Sequence, residues 1–155
     1  MAETLRKATI DDIRPIQALI NGFAKQDLML PRSLNELYEN IRDFWVLERN
    51  GKISACAALH VSWDDLAEIK SVAVSRPLQR KGVGTRLARA CMEEAVALGA
   101  KKVFALTYKP EFFRSLGFRR VRHVALPHKI WAECINCPKF PDCDETALLK
   151  TIAKK

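Results

Sequence analysis

The stretch SRPLQRKGVGTRLA, residues 75–88, contains the most informative pattern in the sequence. Two glycines, Gly82 and Gly84, lie among basic residues and directly precede a run with helical spacing. The first N–H groups of a helix have no partners inside it, and the helix dipole favours negative charge there. Glycines also let a ligand approach the backbone closely. The stretch therefore predicts a site for an anionic group, such as a phosphate, at a helix start.

The charge around this loop is one-sided. No Asp or Glu occurs within residues 69–92, although the whole chain has 18 of them. The same segment contains the cations Lys70, Arg76, Arg80, Lys81, Arg86 and Arg89. A glycine turn beside a solvated basic helix would give a similar pattern. The loop matches neither G-x-G-x-x-G nor a P-loop, so it indicates neither common nucleotide motif.

The composition is that of an ordinary globular protein. The 155 residues favour one domain, 1–155, and 48% of them are hydrophobic. A net charge of +8 indicates affinity for anions, but it does not choose between nucleic acid, a phosphorylated cofactor and an acidic metabolite. The sequence has neither a membrane-spanning apolar run nor a signal peptide, so we expect a cytoplasmic protein with no membrane partner.

Sequence patterns predict an α+β fold with a mixed central sheet, in the order β-α-α-β-β-β-α-β-α-β followed by a C-terminal tail. Asn50-Gly51 between two apolar runs predicts a hairpin. With a strand over 67–74, these runs form an antiparallel meander. The strand after the helix that follows the glycine loop is expected to be its parallel neighbour through a right-handed crossover. Residues 126–155 are predicted to form a cysteine-containing tail that ends in a helix over 144–155.

The five cysteines divide into two groups. Cys56 and Cys91 occur in apolar patterns, so we expect them in the core. Cys134, Cys137 and Cys143 follow His128 in the tail, where their spacing allows half of a zinc site, a disulfide or free thiols. An odd number of cysteines argues against a disulfide framework, and we predict no metal site.

The residues around the glycine loop are similar to a known motif. SVAVSRPLQRKGVGTRLA resembles motif A of the GNAT-type N-acetyltransferases, in which Gln or Arg is followed by a spaced pair of small residues, here Gln79, Gly82 and Gly84. FFRSLGF resembles their motif B, and the element order agrees up to about Ala125. The resemblance implies a GNAT-like fold with flanking helices, N-acetyltransferase activity and acetyl-CoA as co-substrate.

Within that family, the sequence is most similar to the acetyltransferase domain of the N-acetylglutamate synthases. RKATIDDI, PRSLNELYENIRDFWVLER, AEIKSVAV and KKVFALTYKPEFFRSLGF are among the matching stretches. Many of those proteins also carry an amino-acid-kinase domain, so the resemblance implies a short, kinase-less form. It implies L-glutamate as the small-molecule substrate and a role in arginine biosynthesis. The alternatives are acetylation of a protein N-terminus, polyamine or foreign amine, or a nucleic-acid-binding or CoA-sensing module; a homodimer is compatible with the sequence.

The resemblance also assigns residues to the co-substrate. The pyrophosphate of acetyl-CoA would lie on the amides of residues 80–85. The pantetheine arm would pair with the strand backbone at Val72 and Val74, which requires this strand to separate from the next, usually by a bulge. The cofactor-binding residues expected in this way are Val72, Ala73, Val74, Gln79, Arg80, Lys81, Gly82, Val83, Gly84 and Thr85.

Acetyl transfer to an amine requires a base, because an α-amino group is mostly protonated at neutral pH. Glu68 matches the family's strand glutamate and would act directly or through a water, with His60 and Asp65 as alternatives. Many relatives use a tyrosine as general acid at the position of Phe113 in this chain. Tyr108 is a substitute, unless it is a packing residue and the thiolate leaves unassisted.

A glutamate acceptor has two carboxylates, so its site requires cations. Arg32 matches the synthase family's substrate arginine by position, and Lys70 lies near the expected base. Ser71 is expected to contribute its backbone. The other interpretation of Arg32 is a solvated cation beside a helix start.

Overall fold

The computed structural model describes residues 3–126 and 145–152, in which seven strands form one mixed sheet. The strands are β1 Glu3–Lys7, β2 Phe44–Arg49, β3 Lys52–Trp63, β4 Leu66–Val74, β5 Lys102–Thr107, β6 Arg119–Val121 and β7 Thr146–Thr151. The α-helices are α1 Ile13–Ala24, α2 Leu34–Glu39, α3 Val83–Leu98 and α4 Pro110–Ser115. Their order in the sheet is β1-β2-β3-β4-β5-β7-β6. The α+β prediction is confirmed.

The antiparallel meander of β2, β3 and β4 is also confirmed. Asn50 and Gly51 have φ values of 53° and 78°, the left-handed conformations that a tight hairpin turn requires. β4 and β5 pair in parallel, as the crossover rule predicts. The meander thus places β4 in the middle of the sheet, beside the strand that follows α3.

Two apolar clusters cover the opposite faces of this sheet. The cluster that includes α3 contains Leu87 and Cys91, both fully buried. The cluster that includes α1 contains Ile13, Ile16 and Cys56, also fully buried. Both core cysteines are therefore where the sequence predicted them. Helices that pack on both faces hold β4 firmly, so its ends and bulges can position a site.

The predicted helix over 144–155 is wrong, because the described part of that segment is β7. This strand lies between β5 and β6 and pairs antiparallel with both. Leu148 packs into the cluster around α3, and Ala147 packs into a third cluster with Phe104. Because both faces of the strand are covered, it lacks the alternation of a half-buried strand. Its Ala, Leu and Lys residues favour a helix until tertiary contacts override that preference.

The start of α1 is held by a capping box and an ion pair. Thr9 and Asp12 form the capping box at the short 3-10 turn that precedes α1. The Asp12 carboxylate also accepts hydrogen bonds from both terminal nitrogens of Arg6, at 2.7 and 3.0 Å. These bonds lower the pKa of Asp12 below its ordinary value. Strand β1, at the edge of the sheet, is thereby fixed to α1.

Candidate active site

The site begins where β4 leaves β5. The two strands pair only over residues 66–68 of β4, whereas β5 pairs with β7 on its other edge along its whole length. On its other side, β4 carries a bulge, because Lys70 pairs with Ala58 whereas Ala73 pairs with Cys56. Ser71 lies in this bulge with a φ of 57°. The strand thus separates and bulges at the place where the sequence required it to do so.

A cavity of about 820 Å³ opens in the gap between the strands. It brings together most of the predicted site residues: Arg32, Glu68, Lys70, Ser71, Val72, Ala73, Val74, Gln79, Arg80, Gly82, Gly84, Thr85 and Tyr108. Lys81 and Val83 do not line it, and the Val83 side chain is buried in the core. Ala73 is 4% exposed in the cluster around α1, so its backbone is the part suited to a ligand.

The loop before α3 presents its backbone amides as predicted. Arg80 and Gly82 have φ values of 63° and 81°. The Arg86 amide donates to the Gly82 carbonyl at 3.1 Å, which closes the first turn. Within the described ranges, no hydrogen bond uses the amides of residues 80–85. Unpaired amides at a helix start form an anion site.

The two glycines serve different purposes. A Cβ on Gly82 would meet no atom within 4 Å, so its positive φ explains the glycine. A Cβ on Gly84 would lie 3.2 Å from Phe112 Cε1 and 3.8 Å from Val74 Cγ2, so this glycine lets α3 approach α4 and β4. Gln79 Nε2 donates to the Val74 carbonyl at 2.9 Å. Gln79 therefore ties the loop to the end of β4.

Arg32 is held rigidly at the α2 side of the cavity. Its Nε donates to Glu36 at 2.8 Å, and its Nη1 donates to Ser71 Oγ at 3.0 Å. Its guanidinium carbon lies 5.2 Å from the centre of the Phe44 ring, and the residue is 9% exposed. Nη2 has no hydrogen-bond partner among the described residues. A buried cation with donors to spare is suited to a carboxylate.

Glu68 is the predicted base and is the last residue of β4 that pairs with β5. It is 6% exposed, and Lys70 Nζ lies 4.0 Å from its Oε1. His60 on β3 is directly opposite Glu68 and also lines the cavity. Asp65 does not line the cavity. Its backbone carbonyl accepts hydrogen bonds from the amides of Lys101, just before β5, and Lys102, the first residue of β5. The geometry therefore favours Glu68 and His60 over Asp65 as proton acceptors.

Where many relatives have a tyrosine, this chain has Phe113, which lies in the core. Phe113 is 4% exposed, and its ring packs edge-to-face on Phe112 and Phe118 with centroids 5.0 and 5.2 Å apart. Tyr108 follows β5 directly and lines the cavity.

Two residues of the site, Glu36 and Asp43, were not identified from the sequence as functional candidates. Glu36 is four residues after Arg32, which is the spacing of a helical ion pair. Asp43 Oδ2 lies 2.7 Å from His60 Nδ1, a contact between distant residues that no local pattern signals.

His128, Cys134, Cys137 and Cys143 lie outside the described residues. In the part of the chain that is described, no helix is long and apolar enough to cross a membrane.

A bulged strand that leaves its neighbour, free amides at a helix start and a buried carboxylate are features of enzymes that transfer acyl groups from acyl-CoA. A family model described as the acetyltransferase (GNAT) family matches residues 10–118. The chain belongs to this family. It is an N-acetyltransferase with the GNAT fold, and acetyl-CoA is its co-substrate.

Several relatives resemble the chain over most of its length. An uncharacterized N-acetyltransferase of Chlorobaculum tepidum is 37% identical over 96% of both chains. An amino-acid acetyltransferase of Mycobacterium tuberculosis is 33% identical over 83% of this chain and 75% of its own length.

Solved structures of acetyltransferases are also similar to this chain. N-acetylglutamate synthase from Neisseria gonorrhoeae, complexed with coenzyme A and N-acetyl-glutamate, superposes with a TM-score of 0.89 at 29% identity. The match covers 99% of this chain but 36% of the Neisseria chain, so the present sequence corresponds to a part of that enzyme. A Mycobacterium tuberculosis protein in complex with CoA and NLQ superposes with a TM-score of 0.84 at 28% identity and covers 97% of this chain.

Proposed function

We propose that the protein is an amino-acid N-acetyltransferase that acetylates L-glutamate, as an N-acetylglutamate synthase does. The observation that carries this proposal is the buried Arg32 guanidinium, held by Ser71 beside the bulge and in the same cavity as Glu68. Such a cation would fix the α-carboxylate of an amino acid and place its amine near a base. The similarity to amino-acid acetyltransferases supports the same acceptor class.

The co-substrate would occupy the gap between β4 and β5. The free amides of residues 80–85 and the α3 dipole would bind its pyrophosphate. The pantetheine arm would pair with the unpaired edge of β4 at Val72 and Val74. These contacts would place the thioester close to the bulge, because the arm would follow β4 from the loop towards Glu68.

The reaction would proceed by direct attack. Glu68 would take a proton from the ammonium group of the acceptor, directly or through a water. The amine nitrogen would then form a bond to the acetyl carbonyl carbon. A backbone N–H of the separated β4 segment, near Val72 or Val74, would stabilise the oxyanion. The C–S bond would break as the oxyanion collapses.

The leaving thiolate needs one proton, and the acetylated nitrogen must lose one. Tyr108 would pass this second proton to the sulfur; its position in the lining of the same cavity supports this role. A thiol has a pKa near 8.5, so the thiolate is also a tolerable leaving group without help. Substituting Tyr108→Phe would therefore reduce kcat modestly if the residue acts as general acid.

A second acceptor class is favoured by the carboxylates of the cavity. Glu36, Glu68 and Glu145 all line it, and Glu36 already neutralises Arg32. These carboxylates suit an amine with a neutral or cationic side chain, whereas the cations Lys70, Arg76, Arg80 and Lys109 of the same lining suit the acidic acceptor proposed first.

An acetylation assay distinguishes these functions. Release of the CoA thiol would be measured with L-glutamate, L-glutamine, L-arginine and spermidine. Turnover of glutamate above the others supports the synthase; turnover of another amine alone removes glutamate as acceptor. The base is tested with Glu68→Gln, for which we expect kcat to fall by about 100-fold or more at pH 7. Binding of CoA, followed by calorimetry, should change little, and an unchanged kcat would remove Glu68 from this role.

A further inference from the structure

The buried position of Glu68 creates a requirement that the proposed function leaves unmet. Glu68 is 6% exposed, and bound acetyl-CoA and acceptor would fill the cavity above it. A base that takes one proton in each turnover must release it before the next. A path from Glu68 to solvent is therefore needed.

His60 and Asp43 together connect Glu68 with the surface. His60 is the antiparallel partner of Glu68, and directly opposite residues project from the same face of a sheet. His60 Nδ1 lies 2.7 Å from Asp43 Oδ2, at the end of the 3-10 turn before β2. The side chains of His60 and Asp43 are 26% and 23% exposed. The pair thus extends from the cavity wall to solvent.

We propose that His60, oriented by Asp43, is a proton-relay residue that discharges Glu68 during acetyl transfer. This proposal rests on Glu68 being the base of the proposed function. The neutral imidazole would donate its Nδ1 hydrogen to Asp43, which leaves Nε2 as the acceptor.

The relay is balanced in protons. The proton that the acceptor ammonium gives to Glu68 passes to Nε2, directly or through a water, and forms an imidazolium next to the Asp43 carboxylate. The imidazolium then releases one proton to solvent, which restores the neutral ring and the Glu68 carboxylate. The second proton of the amine goes to the thiolate and does not use this path.

The electrostatic surroundings of His60 favour this role. Asp43 would stabilise the imidazolium form of His60. Lys70, near Glu68, would repel this positive charge and so favour loss of the proton to solvent. The other charged or titratable groups that line the same cavity are Arg32, Glu36, Glu68, Arg76, Arg80, Tyr108, Lys109 and Glu145. Asp43 is the carboxylate in direct contact with Nδ1, so its removal should affect the relay more than changes at the rim of the cavity.

The kinetic test uses the full chain and the amine of the four-compound panel that is turned over fastest. In His60→Ala we expect kcat to fall at least tenfold with KM values within about twofold, and added imidazole to restore part of kcat. Asp43→Asn should lower kcat and move the acidic limb of the kcat–pH profile. His123→Gln, which changes a histidine outside the cavity, is the matched control and should retain kcat. An unchanged kcat in His60→Ala, or a loss that imidazole does not restore, overturns the relay.

A second test does not depend on turnover. The chain has three histidines, so the His60 ring nitrogens can be assigned in an NMR spectrum by comparison with His60→Gln. We expect a neutral ring protonated at Nδ1 and a titration midpoint that shifts in Glu68→Gln. A His60 midpoint that is the same in Glu68→Gln and in the parent chain refutes the coupling, even if the acetylation assay succeeds. A shifted midpoint supports the coupling even if glutamate proves to be the wrong acceptor.

Discussion

At the scale of single residues, the network around Arg32 determines which of its donors a ligand can use. Glu36 and Ser71 occupy two of its nitrogens, and the Phe44 ring covers one face of the guanidinium. Binding of a carboxylate would therefore cost the Arg32 side chain little conformational entropy, because these contacts already fix it. A lysine has a single nitrogen, so it cannot reproduce these contacts and also bind a carboxylate.

Substituting Arg32→Lys should therefore weaken binding of the amino-acid acceptor. Losing a charge-assisted hydrogen bond of about 2 kcal/mol corresponds to a rise in KM of about 30-fold. The KM for acetyl-CoA should stay within about twofold, because the side chain of Arg32 contacts Glu36, Ser71 and Phe44 and not the glycine loop. Steady-state kinetics with each substrate varied in turn would check this split. A rise in the acetyl-CoA KM alone would contradict the assignment.

The sequence predicts single residues well where a local pattern carries the information. Gly82 follows from its place before a helix start, and its φ of 81° fits that place. Glu68 and Gln79 are assigned through the resemblance to the family, and their roles stay predictions. The partnership of Asp43 with His60 could not be predicted, because it depends on how two strands lie in register. The Phe113 position shows the same limit: its departure from the family tyrosine is visible in the sequence, whereas its burial is a property of packing.

At the scale of elements, the close approach of α3 to α4 and β4 depends on Gly84. An added Cβ would lie 3.2 and 3.4 Å from two atoms of the Phe112 ring, and that ring also lines the cavity. Relief of the contact must therefore move either the ring or the start of α3. Both movements would disturb the amides that are proposed to bind pyrophosphate.

We expect Gly84→Ala to raise the KM for acetyl-CoA by about tenfold, equivalent to about 1.4 kcal/mol. Gly22→Ala is the matched control, because an added Cβ in α1 meets nothing within 4 Å. It should stabilise the fold by about 0.5–1 kcal/mol through helix propensity and leave KM unchanged. Calorimetric CoA titration and thermal unfolding of both variants test the prediction. Equal CoA affinity in Gly84→Ala and the parent chain would refute it.

Elements with a clear period or a turn signal were predicted correctly, and β7 was not. The hairpin at Asn50-Gly51 and the helix after Gly82 are set by local chemistry. β7 is defined by its insertion between β5 and β6, two strands that both precede it in the sequence. Its residues satisfy an amphipathic helix equally well, so non-local pairing decides its structure.

At the scale of the whole molecule, stability depends on how the edge strand and the first helix are joined. Asp12 is 5% exposed and accepts hydrogen bonds from Arg6 and from the Thr9 amide. Its lowered pKa means that the unfolded chain binds a proton at higher pH than the folded chain. The stabilisation is therefore present above the ordinary pKa of 3.8 and is lost as pH falls through the lower value of the folded state.

Substituting Asp12→Asn should lower the free energy of unfolding by about 2 kcal/mol at pH 7. The loss should shrink below about pH 4, where the parent chain also loses the charge. Asp11→Asn is the control, because Asp11 is adjacent and exposed. Urea unfolding at several pH values would measure both. A difference between Asp12→Asn and the parent that stays constant down to pH 2 would contradict the proposed linkage.

The core cysteines should be unreactive in the folded protein. Burial raises the pKa of the Cys56 and Cys91 thiols to about 12, so little thiolate exists at pH 8. We expect iodoacetamide to label both positions only after unfolding, as followed by peptide mass spectrometry. Rapid labelling of Cys91 in the native protein would show that α3 does not pack as described.

The separation of β4 from β5 also divides the sheet mechanically. These strands share three residue pairs at one end, whereas β5 and β7 share six. The sheet thus consists of a four-stranded and a three-stranded leaf, joined by a short seam beside Glu68. A pantetheine arm lodged between the leaves would bridge their open edges and resist their parting. Bound CoA would therefore join the two leaves over the stretch where β4 and β5 do not pair with each other.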